Sequence, residues 1–292
     1  MTNLKEFKLY LKQKKKFSDN TIQSIETFVL NYLIWIKSKN ITVSKASYKD
    51  SIKYISYLKK EKYQKQYVAS NIRAIKYYYE FKYKNKNPFS PINIQREKRN
   101  IVKVIPIETL NNIYDNYEKE ERQSEEIFIR NKTILSLLYF QYLTVQEVTN
   151  LSVEDIDLQK GVIHLKGNDR INKRSLPIAN KQFYFLSLYL TSKRKELLNN
   201  TLKNSNKLII SKGDSNRIGN IVQMLFNKLN KNKVEKVNWT IIRQSLIVDL
   251  VKNENLRIAQ YKLGHKYISS TERYKITDVE ELKRKVITFH PF

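Results

Sequence analysis

The sequence predicts a mainly α-helical protein of two domains with one small β-sheet or hairpin. Three observations carry this. Only five glycines and five prolines punctuate 292 residues. Apolar side chains recur at i, i+3, i+4 and i+7 over long segments, the period of a helix that buries one face. The length is about twice that of a common single domain, so each half can bury its own core.

The elements follow in order. Leu4, Phe7 and Leu11 mark a first helix. Ser18-Asp-Asn-Thr21 is a polar entry to the next, where Ile22, Ile25, Phe28, Val29, Tyr32 and Leu33 share a stripe. Further helices are predicted at 51–60 and 67–83. The tyrosines of IKYYYEFKYK, 75–84, have faces that stack on nucleobases, but an aromatic stripe at helical spacing reads first as core. Asn87-Pro-Phe-Ser-Pro91 closes this block, because proline cannot continue a helix and restricts its predecessor. INIQREKRNIVKVIP, 92–106, is basic and aperiodic and reads as a linker, giving domains 1–95 and 107–292 joined by 96–106.

Beyond Pro106, helices are predicted at 107–117, 126–143 and 146–151. The period then changes. GVIHLKG and RSLPI are short β-rich runs either side of the turn-rich Asn168–Asn172, which fits a small sheet or hairpin. Helical spacing returns at 181–198, 217–229, 240–251 and 257–263.

Fifty-five lysines and arginines against 28 acidic residues leave a net charge of +27, which calls for an anionic partner, and nucleic acid is the partner this balance favours. The basic residues are spread along the chain rather than gathered on one amphipathic helix, which argues against a membrane surface. The absence of cysteine excludes disulfides, thiolate chemistry and Cys-based zinc sites. His164, His265 and His290 are too far apart in sequence to suggest a metal cage, so no metal or other cofactor is expected. The N-terminal segment has no continuous apolar core, and runs such as ILSLLYFQYL fall short of a membrane span; a cytoplasmic protein is expected.

Four segments point to a chemistry: LLYFQYLTVQEVTNLSVEDID, VIHLKG, IIRQS and LGHKYISSTERY. In the last, Tyr274 follows His265 by nine residues. By their order and spacing these segments resemble the tyrosine recombinase, or phage integrase, family, with a Xer-like two-domain organisation; SDNTIQS and the Asn-Pro exit resemble its N-terminal part. The resemblance implies a four-helix, SAM-like core-binding domain and an α-rich catalytic domain closing as a C-shaped clamp on double-stranded DNA. It implies that Tyr274 attacks a phosphodiester to give a 3′-phosphotyrosyl intermediate and a free 5′-hydroxyl, as in site-specific integration, excision or inversion by mobile genetic elements. Arg243 would clamp a non-bridging oxygen, and His265 would bond the phosphate or shuttle the proton. Lys166 matches the hairpin lysine that protonates the leaving oxygen; the hairpin is a few residues longer than usual, which leaves Lys173 as the alternative.

Chemistry agrees with this division of roles. A phenol of pKa near 10 is a weak nucleophile at neutral pH and needs a proton acceptor and a neutralised phosphate. The phosphotyrosyl bond keeps the energy of the broken linkage, so no nucleotide is consumed, and the chain has no Gly-rich phosphate loop.

Two positions depart from the family pattern. The first arginine normally follows a Gly-Leu pair, three residues before a Glu; here Tyr142-Leu143-Thr144 precedes Glu147. Three residues before Arg243, where histidine or lysine is usual, stands Thr240. Loss of one transition-state donor costs about 10²- to 10³-fold in rate. Three readings follow: a recombinase with a rebuilt site, a slow one, or an inactive relative that binds DNA and regulates. Arg130, Arg170 and Arg174 lie in the right sequence neighbourhoods to replace the lost charge. A topoisomerase-like or hairpin-forming strand transferase shares the same nucleophile, but the ordinary domain order argues against it. Retention of Lys166, Arg243, His265 and Tyr274 together favours activity.

The C-terminal segment carries Ile276, Val279, Leu282 and Val286 at helical spacing. The resemblance implies that such a helix docks on a neighbouring protomer and couples a homotetramer on paired sites; packing on its own domain is the alternative.

Overall fold

The computed structural model describes residues 4–84, 86–94, 104–201, 205–211, 218–231, 236–275 and 286. The chain divides into two compact units, Met1–Arg99 and Asn100–Phe292. Each has its own hydrophobic core.

The first unit holds four helices: α1 (Lys5–Gln13), α2 (Asp19–Ser38), α3 (Tyr48–Lys60) and α4 (Lys65–Tyr83). Ser47 starts α3 with a capping box, taking the Asp50 N–H while its own N–H donates to the Asp50 carboxylate at 3.0 Å. The apolar stripes meet inside: Phe7, Leu11, Val29, Ile36 and Ile75 are all buried, each such side chain contributing about 1.5–3 kcal/mol. Tyr78 and Tyr79 are buried as well, so this part of the tyrosine stripe is core. Tyr79 donates to the Val43 carbonyl at 3.0 Å and accepts from Tyr32 at 2.7 Å, which removes the cost of burying two phenols.

The second unit runs α5 (Ile107–Asp115), α6 (Glu125–Phe140), α7 (Val145–Asn150), β1 (Ile156–Asp157), β2 (Val162–Leu165), β3 (Arg174–Pro177), α8 (Asn180–Leu188), a π-helical turn (Tyr189–Lys193), α9 (Arg194–Thr201), α10 (Ile218–Leu229), α11 (Trp239–Asn253) and α12 (Leu256–Leu263). The strands form one antiparallel sheet in the order β1-β2-β3. Ile163 faces Leu176 and Leu165 faces Arg174. Strand alternation therefore buries Ile163, Leu165, Arg174 and Leu176 and exposes His164 and Ser175.

The small sheet or hairpin expected after α7 is present as this sheet, to which β1 adds two residues, too few to show a period. Two local predictions are corrected. The helix predicted at 181–198 is interrupted by the π turn, whose extra residue fits a fully buried Tyr189; its hydroxyl accepts the Ile210 N–H at 3.1 Å. The helix predicted at 126–143 ends at Phe140. Tyr142 then adopts φ +55°, a left-handed conformation that costs a side-chain-bearing residue about 1–2 kcal/mol. The resemblance places a glycine here, and the turn explains why a glycine suits the position.

Of the C-terminal helix candidate, only Val286 lies among the described residues. Among those residues, no helix is long and apolar enough to cross a membrane, and no group of three His, Cys, Asp or Glu is arranged to hold a metal.

Candidate active site

Arg243 sits in the second turn of α11, whose start is fixed by Asn238 accepting the Ile241 N–H at 3.0 Å. Its Nε donates to the carbonyl of Tyr142 at 2.8 Å, tying α11 to the strained exit of α6. The terminal nitrogens of Arg243 bond none of the described residues and are free for an anion. Burial lowers the Arg243 pKa and Arg174 and Arg273 push the same way, while Tyr274 and Glu147 oppose them. From its high starting value the group stays a cation.

His265 follows Gly264, which ends α12 at φ +69°. The histidine is partly buried, and its Nδ1 lies 2.9 Å from the hydroxyl of the fully buried Thr271. Burial, then the charges of Arg243, Arg273 and Arg174, push its pKa down from 6.5 to about 4. The imidazole is therefore neutral at neutral pH, with Nδ1 engaged and Nε2 free of hydrogen bonds to described residues. Its ring is nearly parallel to that of Tyr274, at 6.4 Å between centroids.

Tyr274 is buried, 5% exposed, among Ile247, Val251, Ala259 and Leu263. The guanidinium of Arg273 lies over its ring at 5.4 Å, a cation–π contact. The hydroxyl makes no hydrogen bond to a described residue.

Glu147 is buried and both its oxygens are engaged. Oε2 accepts the N–H and the hydroxyl of Thr144, each at 2.9 Å, while the Thr144 hydroxyl caps α7 by accepting the Glu147 N–H at 3.2 Å. Oε1 takes Arg174 Nη1 at 2.7 Å. Thr144 is thus a helix cap, and the carboxylate beside it is paired with an arginine from β3.

The structure brings together Arg243, His265, Tyr274 and Glu147, and adds Arg174 and Arg273. It does not bring in Lys166. That side chain is exposed on the loop after β2, with Nζ 3.1 Å from Asp155 Oδ1. Lys173 is exposed too, and Thr240 lies exposed in the first turn of α11. The hairpin nevertheless docks on the histidine segment: the Asn172 N–H donates to the Gly264 carbonyl at 2.8 Å and Ile171 forms a bridge with His265. Arg174 had a readable signal. In RSLPI, strand alternation puts it on the face of Leu176, and an arginine on a core face requires a carboxylate. Arg273 had only its place beside Tyr274.

A helical unit followed by a helical unit with a small antiparallel sheet, in which guanidinium groups and a neutral histidine surround a tyrosine, is an arrangement suited to phosphoryl transfer through tyrosine. Residues 103–281 match the phage integrase family and residues 4–86 the phage integrase N-terminal SAM-like domain; the chain belongs to the phage integrase family. It is 24% identical to the tyrosine recombinase XerD of Oceanobacillus iheyensis, over 99% of this chain and 98% of that protein. It is 22% identical to the tyrosine recombinase XerC of Staphylococcus saprophyticus, over 100% and 98%. Its fold is similar to that of the Tn1549 transposon integrase in complex with a circular intermediate DNA, with a TM-score of 0.65 at 14% identity over 94% of this chain and 96% of that one.

Proposed function

We propose that this protein cuts and rejoins duplex DNA at specific sites through a 3′-phosphotyrosyl intermediate, with Tyr274 as nucleophile. The observation that carries the reading is the gathering of Arg243 and His265 about that tyrosine. Tyr274 Oη attacks the scissile phosphorus and the P–O5′ bond breaks. The phenolic proton passes to an acceptor at the site, for which neutral His265 is suited, and the departing 5′-oxygen takes a proton from Lys166. A 5′-hydroxyl of a second strand then attacks the phosphotyrosine in the reverse sense, restoring the phenol.

Arg243 neutralises the non-bridging oxygens, where negative charge accumulates in the transition state. Lys166 has to leave Asp155 to act. The lysine side chain is 70% exposed, while Asp155 is 8% exposed and keeps the Ser152 N–H as a donor at 2.8 Å when the lysine leaves.

The charge of +27 supports duplex DNA as substrate, as does a similar fold in complex with DNA. In this reading four copies act on two paired sites, in the cytoplasm, for integration, excision or inversion of a mobile element. The alternative, an inactive DNA-binding relative, drew on Thr144 and Thr240; the guanidinium beside Glu147 weakens it.

The test uses nicked suicide duplexes carrying a site selected by binding from genomic fragments. Wild type is expected to form a covalent adduct that survives denaturing electrophoresis, and Tyr274→Phe to bind equally but form none. A bound substrate without adduct overturns the reading.

A further inference from the structure

The position of the family's first arginine holds Thr144, which leaves the site one guanidinium short along the sequence. We propose that Arg174, at the start of β3, supplies that guanidinium from the opposite side of Glu147, bridging the carboxylate and the scissile phosphate. The inference rests on the recombinase reading above.

Arg174 has no exposed side-chain surface and its three nitrogens have different fates. Nη1 donates to Glu147 Oε1 at 2.7 Å and Nε to the Lys262 carbonyl at 2.9 Å. Nη2 is buried and has no partner; among the described residues only Asn71 Nδ2 and Trp239 Nε1 share that condition. A buried cationic donor without an acceptor is more costly than a neutral one, which points to an acceptor that arrives with the substrate. The only strong acceptor in the proposed chemistry is the phosphate. Arg174 also belongs electrically to the site, since its charge acts on both His265 and Arg243.

The surrounding residues are shaped for it. A Cβ at Gly264 would stand 2.5 Å from Arg174 Nη1 and 3.0 Å from Cζ, so glycine beside His265 leaves room for the guanidinium. The other two candidates go elsewhere. Arg130 is bonded to Asn131 and the Ile210 carbonyl, and Arg170 is exposed on the hairpin loop. For this, the movement that brings Tyr274, now buried, to a phosphate also has to open Nη2. The pocket of Tyr274 borders Arg243, whose charged surroundings include both Tyr274 and Arg174.

Two guanidinium groups then flank the phosphate. Arg243 approaches from α11 and Arg174 from β3, so two N–H donors meet the charge that builds on the non-bridging oxygens as the P–O5′ bond breaks.

The test is single-turnover cleavage of the suicide duplex, beside a duplex with a methylphosphonate at the scissile position, where there is no negative charge to neutralise. Arg174→Ala is expected to cleave the phosphodiester about 10²- to 10³-fold more slowly at similar DNA affinity. On the methylphosphonate most of that deficit should vanish. Adding Thr144→Arg should restore part of the rate, because Glu147 Oε1 is then free to orient the new arginine. Arg174→Lys guards against misfolding: it keeps one bond to Glu147 but has no second nitrogen for the phosphate, and should show the same substrate dependence. Wild-type rates in folded Arg174 variants overturn the proposal, as do equal deficits on both substrates without restoration by Thr144→Arg. If wild type forms no Tyr274-dependent adduct on either duplex, the recombinase reading itself falls and this proposal falls with it.

Discussion

Glu147→Ala isolates what the carboxylate does for the fold. It leaves Arg174 buried with no counter-charge, and removing one partner of a buried pair costs about 3–5 kcal/mol. The Arg174 and Glu147 side chains are 0% and 6% exposed, so water offers little relief. The variant also loses half of the capping box of α7, a further contribution of about 1 kcal/mol that overlaps the first. The second unit should therefore lose about 4 kcal/mol. Only two tryptophans are present, Trp35 in the first unit and Trp239 in the second. In a Trp35→Phe background, Trp239 fluorescence follows the second unit alone. With a urea dependence of about 2 kcal/mol per molar, the midpoint should fall by about 2 M. The double variant Glu147→Leu/Arg174→Met, which removes both charges, should recover most of this. A midpoint shift below about 0.5 M, or a double variant as unstable as the single, would refute the reasoning.

Acid should weaken the second unit through His265. Its folded pKa of about 4 lies below the unfolded 6.5, so the contribution is complete above pH 6.5 and is lost as pH falls towards 4. At most about 3 kcal/mol is at stake, and His265→Gln should flatten that part of the stability curve. Parallel curves for the two proteins would contradict this. Gly264→Ala should cost at least twice as much as Gly161→Ala. Both glycines have positive φ, +69° and +64°, but only the first would press a Cβ on Arg174. Gly161→Ala carries the backbone strain alone, about 1 kcal/mol, and equal melting losses would remove the packing argument.

The helices were legible because their apolar stripes are long and glycine and proline are few. β1 and the π turn were not. Two residues carry no period, and the π turn depends on Tyr189 finding space in a core that the chain forms at a distance. The order LLY, VIHLKG, IIRQS and LGHKYISSTERY made the proposed nucleophile segment readable, and Arg243, His265 and Tyr274 do meet in space. Thr144 reads as an absent arginine along the sequence. Its neighbour Glu147 pairs with Arg174, 27 residues further on, and pairing at that distance leaves no local pattern. The strand face shared by Arg174 and Leu176 was the one available hint.

The engagement of both Glu147 oxygens bears on how such a site changes over time. With Oε2 held by Thr144 and Oε1 by Arg174, an arginine entering at 144 gains no carboxylate and gives up a helix cap, while removal of Arg174 alone strands a buried anion. Neither single step is favourable, yet the two together exchange one workable arrangement for another. The order in which substitutions arrive therefore matters, and a lineage that has settled on one arrangement is held there by the folding of α7 as much as by its chemistry.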